Sequence, residues 1–296
     1  MEATRFNRAQ DFIWRNARII DRHLFAHLFL DGPKQPFFTA LQAYQNADGG
    51  FGHAIEPDIR TPLSVPQGAE VALRLMDMIG EIDQGMVDQL CGYLETITTP
   101  EGGVPFTLPT ANPYPHAPWW NSEQNPPASV NPTAAIGGLL HKYGVQHPWL
   151  ERASAFCWKA IEASESAEFH DLIPVITFLE HTPERERAER ELQRIGARIL
   201  ASNSVTFDPN TEGYIHTPLD WAPTPESFCR SLFSDDVLLG DLQARAAAQQ
   251  EDGGWPILWP PISPGCELEW RGHVTIGVLL KLRAYEKVGL RVEGSF

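Results

Sequence analysis

Three short stretches of this chain repeat one another: Gln45-Asn46-Ala47-Asp48-Gly49-Gly50-Phe51-Gly52, Thr99-Pro100-Glu101-Gly102-Gly103-Val104-Pro105-Phe106 and Gln250-Glu251-Asp252-Gly253-Gly254-Trp255-Pro256. Each follows a segment of helical periodicity and reads acid-Gly-Gly with an aromatic close behind. A weaker copy, Thr211-Glu212-Gly213-Tyr214-Ile215-His216, ends on a histidine as Asp48-Gly49-Gly50-Phe51-Gly52-His53 does. Spaced repeats of this kind mark an array of helical units that cannot bury their apolar faces alone. The motif also has a simple physical reading as a helix stop. Glycine takes φ > 0 without a steric penalty, the acid accepts backbone N–H groups of the turn, and the aromatic packs between neighbouring helices.

Apolar spacing of helical period predicts helices over 6–29, 37–45, 71–79, 86–97, 133–143, 149–163, 171–180, 184–201, 237–249 and 273–288, with a short candidate at 228–233. Two-residue alternation is almost absent, so few strands are expected. Long Pro/Gly-rich connections cover 47–66, 99–130, 204–226 and 251–270, and structureless loops of that length tend to be functional. Eleven or twelve helices in antiparallel pairs predict an all-α fold: one domain, residues 1–296, with six hairpins closed into an α/α toroid around a central cavity. An open solenoid is the alternative, but neither end of the chain carries a polar capping repeat. The four long loops are expected at one end of the ring, because each links equivalent helix ends.

Hydrophobic residues make up 43% of the chain, enough for a substantial core. Thirty-eight acids oppose 23 bases, for a formal charge of -15. That excess argues against nucleic acid or an anionic membrane as partner. The opening residues from Met1 to Arg8 precede no apolar signal region, and no apolar run reaches membrane-spanning length. Cys91, Cys157, Cys229 and Cys266 are far apart, as buried free thiols of a reducing compartment would be, so a cytoplasmic location is expected.

The stretch Gln250-Glu251-Asp252-Gly253-Gly254-Trp255 resembles the QW-type repeat of squalene and oxidosqualene cyclases and the related repeats of protein prenyltransferase β-subunits. That resemblance implies an α/α toroid and a hydrophobic or polyprenyl-like substrate. It covers the repeats and the helical organisation, and it stops short of the catalytic motifs. Class II terpene cyclases protonate an alkene with a D-x-D-D motif, which this chain lacks; Ser234-Asp235-Asp236 reads as a helix cap. Prenyltransferase β-subunits bind zinc through Asp, Cys and His, and Cys266 with His273 alone makes no such site. Asp252-Gly253-Gly254-Trp255-Pro256 also resembles a stretch in some α/α-toroid polysaccharide lyases, which implies a sugar-active groove instead.

Three loop constellations and a set of tryptophans are candidates for chemistry. The first is His53, Glu56, Asp58 and Arg60. An acid in an apolar cavity holds its proton and can donate it, with Arg60 keeping its partner anionic; the plainer reading is a salt-bridged knot that ties the loop down. The second is Glu267, Glu269, Trp270, Arg271 and His273. Glu267 and Glu269 point the same way only if the segment is extended; on a helix they serve its dipole. The third is His216, Asp220 and Trp221, where an acid against an aromatic ring has a raised pKa or simply makes a turn. Trp119, Trp120, Trp221, Trp259 and Trp270 lie in or beside the long loops, where they can stabilise a cation, stack on a sugar ring or pack the core.

His23 and His27 lie four apart, but no H-E-x-x-H, nucleophile-elbow, P-loop or dinucleotide motif is present. No metal and no cofactor is therefore expected. These residues predict an acid–base enzyme, a cyclase or isomerase, acting on an apolar or isoprenoid-like small molecule. Asp58 or Glu56 would be the proton donor, and Asp220, Glu267 and Glu269 further candidates. His53, Arg60, His216, Arg271 and the loop tryptophans would bind substrate. A carbohydrate lyase or hydrolase, and a non-catalytic repeat scaffold, remain open alternatives.

Overall fold

A computed structural model describes residues 4–208, 211 and 213–296. Glu212, the acid of the weak fourth repeat, lies outside the described residues, as do the first three residues of the chain. The described residues are all-α, with isolated bridges and no strand. Twelve helices are found among them: α1 Arg5–Asn16, α2 Ile19–Phe29, α3 Gln35–Gln42, α4 Pro66–Ile79, α5 Gln84–Ile97, α6 Val130–Lys142, α7 Pro148–Ala163, α8 Phe169–His181, α9 Arg185–Ala201, α10 Pro218–Trp221, α11 Asp235–Ala247 and α12 Pro264–Glu286. None is long and apolar enough to cross a membrane. All four cysteines are buried thiols outside any disulfide.

Helix starts follow local chemistry. Pro66, Pro148, Pro218 and Pro264 each open a helix, where the missing N–H costs nothing and φ is already helical. The Pro-rich connections therefore end where helices begin. Ser234 caps α11 by accepting from the Val237 N–H, as its sequence suggests, and Ser263 caps α12 through Cys266. Several boundaries differ from expectation, and two are instructive. The periodic stretch 6–29 is two helices, broken at Ala17 and Arg18, whose backbones are extended. No Gly or Pro marks the break; Arg18 turns out of the helix and pairs with buried Asp21 at 2.7 Å. The last helix begins at Pro264, so residues read as loop form its first turns.

The chain divides into two compact units, residues 31–195 and residues 1–30 with 196–296. In the first, the even-numbered helices pack side by side, α4 on α6 and α6 on α8, while α7 packs on α5 and α6. These three even helices run parallel. At their starts, the Asn131 carboxamide of α6 donates to the His170 carbonyl of α8 at 3.0 Å. At their ends, Tyr143 beyond α6 and Lys142 within it both bond Asp77 of α4. The Asn131 contact answers a local need. Pro174 inside α8 has no N–H for the carbonyl four residues back, and that carbonyl belongs to His170. In the second unit α12 packs against α1, α2 and α11, and α10 against α11.

The three repeat turns share one bonding pattern. In each, the first residue's N–H donates to the fifth residue's carbonyl, and the first Gly of the pair donates back (Asn46/Gly50 and Gly49/Asn46, Thr99/Gly103 and Gly102/Thr99, Gln250/Gly254 and Gly253/Gln250), all at 2.8–3.0 Å. Gly49, Gly102 and Gly253 have φ of 87°, 98° and 94°. A Cβ on Gly49 would lie 2.2 Å from the Gln89 carbonyl of α5, and one on Gly253 2.1 Å from the Arg8 carbonyl of α1. Each turn thus docks onto the next odd-numbered helix: the turn after α3 onto α5, the turn after α5 against Arg152 and Phe156 of α7, and the turn after α11 onto α1. This last contact joins the final hairpin to the first helix of the chain. The aromatic behind the glycines is buried in the first and third turns, as Phe51 and Trp255.

Candidate functional site

In the unit of residues 31–195, the loop after α3 and the loop after α5 are zipped together. Arg60 N–H donates to the Pro115 carbonyl and Ala117 N–H to the Asp58 carbonyl, both at 2.9 Å, flanking an Ile59–His116 bridge. The approach to this zipper is a backbone corner, with φ of 54° at His53 and 58° at Ala54, left-handed values uncommon for non-glycine residues. His53 holds the corner from outside, its Nε2 2.9 Å from Asn46 Oδ1. Beyond the corner Glu56 is 6% exposed and Asp58 2%. Glu56 Oε1 accepts from the Asp58 backbone N–H at 3.4 Å, and the Arg60 guanidinium donates to the Pro57 carbonyl at 3.3 Å.

Trp120 closes one side of this loop. It packs on Ile59, Val65 and Ala111 and stacks on Phe106 with centroids 5.0 Å apart. Its indole N–H is buried without a hydrogen-bond partner. Trp119, its neighbour on the same short 3₁₀ turn, is 43% exposed and faces outward. Behind the zipper α4 begins. The Gln67 carboxamide donates to the Phe106 carbonyl, while its own oxygen is buried and unpartnered. Unpaired buried polar atoms are rare in folded proteins and mark places where a ligand or water completes the bonding. Glu70, one turn on, pairs with Arg74 at 2.7 Å. Burial pushes the His170 imidazole below its ordinary pKa, opposed by the charges of Asp171, Glu70 and Glu168. Gln67, Glu70 and His170 carry no signal in the sequence that singles them out; only the parallel packing of α4, α6 and α8 brings them to one end.

In the other unit, Asp220 is the centre of an ionic cluster. Its Oδ2 accepts from the Thr217 N–H at 3.0 Å as a capping box. Arg245 of α11 lies 2.6 Å away and Lys281 of α12 3.3 Å. Asp241, 3% exposed, accepts from the Leu219 N–H at 2.8 Å and from Arg245 at 3.3 Å. Burial would raise the Asp220 pKa, but Lys281 and Arg245 outweigh it and hold the carboxyl well below the usual range. The adjacent Trp221, taken alone, predicts the opposite direction. Trp221 itself is buried at 2%. Burial and Arg245 depress the Lys281 amine, and Asp220 opposes them.

The loop before α10 and the start of α12 meet through aromatic rings. His216 meets Tyr214 at 5.0 Å, Tyr214 meets Trp259 at 6.1 Å, Trp259 meets Trp270 at 5.2 Å and Trp270 meets His273 at 5.9 Å, each near perpendicular, the favoured edge-to-face arrangement. The Trp259 and Trp270 indole N–H groups are buried without partners. Glu267 and Glu269 lie on helical α12, so their side chains leave the axis roughly 200° apart and share no face. Arg271 is 6% exposed and its contacts belong to the third repeat turn: Asp252 at 2.6 Å, the Trp255 carbonyl at 3.2 Å and the Phe12 ring at 4.6 Å. Among the described residues no group of three His, Cys, Asp or Glu side chains is placed to hold a metal ion.

No protein-family model and no curated protein matches the chain. Among solved structures it is similar to the crystal structure of a protein from Actinoplanes, with a TM-score of 0.56 and 15% identity over 94% of this chain and 98% of that one. It is also similar, at a TM-score of 0.46 and 12% identity, to a variant of the type II terpene cyclase MstE from Scytonema in complex with geranylgeranyl dihydroxybenzoate, over 92% of this chain and 86% of that one. The Actinoplanes likeness, spanning nearly the whole of both chains, shows a shared fold.

Proposed function

We propose that the protein is an acid–base enzyme of terpene-cyclase type that protonates an apolar or isoprenoid-like small molecule, with Asp58 as the donor and Glu56 beside it. The observation that carries this reading is the pair itself: two acids two residues apart, 2% and 6% exposed, held in a zipped loop against the Phe106–Trp120 stack. Burial favours the protonated form of a carboxyl group, which a proton donor needs, and aromatic faces stabilise a developing cation. Asp220, ion-paired and held anionic, is unsuited to giving a proton and is assigned a structural role. The unpartnered oxygen of Gln67 and indole N–H of Trp120 would meet polar atoms of the substrate.

The test is product formation. Purified protein is incubated with linear and prenylated-aromatic isoprenoids, and products are resolved by gas chromatography with mass detection. New cyclic or isomerised products that vanish with Asp58→Asn support the reading. Inertness toward every isoprenoid, together with unsaturated products from a uronate-containing polysaccharide, would transfer the assignment to the lyase class.

A further inference from the structure

In the unit of residues 1–30 and 196–296, the rings of Tyr214, Trp259 and Trp270 form a chain with right-angled steps. Tyr214 and Trp259 meet at 6.1 Å and 87°, Trp259 and Trp270 at 5.2 Å and 85°. A perpendicular pair sets one ring face at right angles to another, so each step makes a corner bounded by two π-faces. The corners are open to solvent: Tyr214 is 52% exposed, and Trp259 and Trp270 are each half-buried. The indole N–H atoms of both tryptophans are buried, so what these two rings show outside is carbon.

Two of the three walls are fixed by the chain. Trp270 projects from α12. Trp259 precedes Pro260 and Pro261, and a residue before proline is confined to extended backbone. Walls held in this way lose little freedom when a ligand arrives.

Electrostatics select the ligand. An aromatic face is negative and attracts a cation within about 6 Å of the ring centre. Elsewhere the chain fills such faces with its own guanidinium groups, Arg187 over Trp158 at 4.2 Å and Arg283 over Phe29 at 4.4 Å. Among the described residues no cation of the protein lies over Trp259 or Trp270. Glu267 is one helical turn before Trp270 on α12, which makes the two neighbours on the helix surface. It is half-buried and enters no ion pair among the described residues. The bases around it are committed: Arg271 to Asp252 at 2.6 Å, and Arg245 and Lys281 to Asp220. The site therefore offers ring faces, carbon edges and one anion. A quaternary nitrogen spreads its charge over methyl groups and has no N–H that needs an acceptor. We propose that the Tyr214–Trp259–Trp270 corners bind a quaternary or methylated ammonium group, its methyl carbons against the ring faces and its charge balanced by Glu267.

Choline is the probe, and 3,3-dimethylbutan-1-ol, with carbon in place of the charged nitrogen, is its neutral control. The full-length protein is titrated with each by calorimetry at about pH 8, above the ordinary imidazole range, because His216 and His273 end the chain of rings. Choline is expected to bind saturably and at least about tenfold tighter than the alcohol, the factor that two ring faces supply. Trp259→Leu, which keeps an apolar side chain and removes the π-face, should bring the two ligands to equal affinity. Tyr214→Ala, at an exposed position, keeps the test open if that variant fails to fold; it should weaken choline about threefold and the alcohol less. Glu267→Gln should weaken choline by a similar factor, an effect that fades at high salt. Equal affinity of the parent for choline and the alcohol would make this an apolar patch and overturn the proposal. No saturable binding of choline, or a parent-like preference for it in both Trp259→Leu and Tyr214→Ala, would overturn it too.

Discussion

At the scale of single residues, the two aspartates among the candidate acids are held by different elements. Asp58 lies in a buried loop whose nearest backbone partners come from the loop after α5. Asp220 sits among cations from α11 and α12. Asp58→Asn keeps the shape and removes the titratable proton. If the proposed role holds, turnover falls by roughly 10²–10⁴-fold while the melting temperature is kept. A fall in melting temperature with turnover tracking the folded fraction would make Asp58 a loop staple.

Asp220→Asn should behave in the reverse way. It leaves Arg245 and Lys281 short of an anion, and removing one partner of a largely buried pair costs on the order of 2–3 kcal/mol. Because the folded pKa of Asp220 is depressed, the unfolded chain binds more protons between that value and about 4. Stability from this group is complete above about pH 4 and is lost as pH falls through the folded pKa. Melting curves from pH 2 to 7 should therefore rise less steeply with pH in Asp220→Asn than in the parent; equal slopes would remove Asp220 as a stabilising anion.

At the scale of elements, glycine separates packing from propensity. Gly138 of α6 lies against α8, where an added Cβ would come within 2.4 Å of the Thr177 carbonyl. Backbone cannot yield there as a side-chain tip could. Gly138→Ala should destabilise by about 1–3 kcal/mol through overpacking. Gly92 of α5 is exposed, with nothing within 4 Å of an added Cβ. Gly92→Ala should stabilise by about 0.5–1 kcal/mol through helix propensity alone. Urea titration of both variants checks the pair, and two shifts of the same sign would contradict the α6–α8 contact. The sequence shows a Gly-Gly in α6 but not which of the two faces a neighbour; that depends on the rotation of α6 against α8.

At the scale of the whole molecule, we propose that residues 1–296 unfold as one domain. Helix α9, Arg185–Ala201, is continuous across residues 195 and 196, where the two compact units divide. One calorimetric transition with equal calorimetric and van't Hoff enthalpies is expected. Two resolved transitions would divide the chain into independent domains.

The local rules of this chain are legible in its amino-acid sequence. Acid-Gly-Gly turns and the Ser234 cap act through neighbours within about five residues, so the order of residues suffices for the all-α class and most helix positions, while Pro66, Pro218 and Pro264, read as loop, open helices. The break at Ala17 and Arg18 is hidden there because its cause is a side chain pairing with buried Asp21 rather than a breaker residue. The sites are legible only as residue types. Sequence shows Asp58 with Glu56 and Asp220 with Trp221. It does not show that Asp58 pairs with the backbone at Ala117, or that Arg245 and Lys281, 25 and 61 positions from Asp220, reverse the expected shift. A protonation state depends on burial and on charges within a few ångströms. Those distances are set by how the helices pack, and packing is decided by the folded chain as a whole.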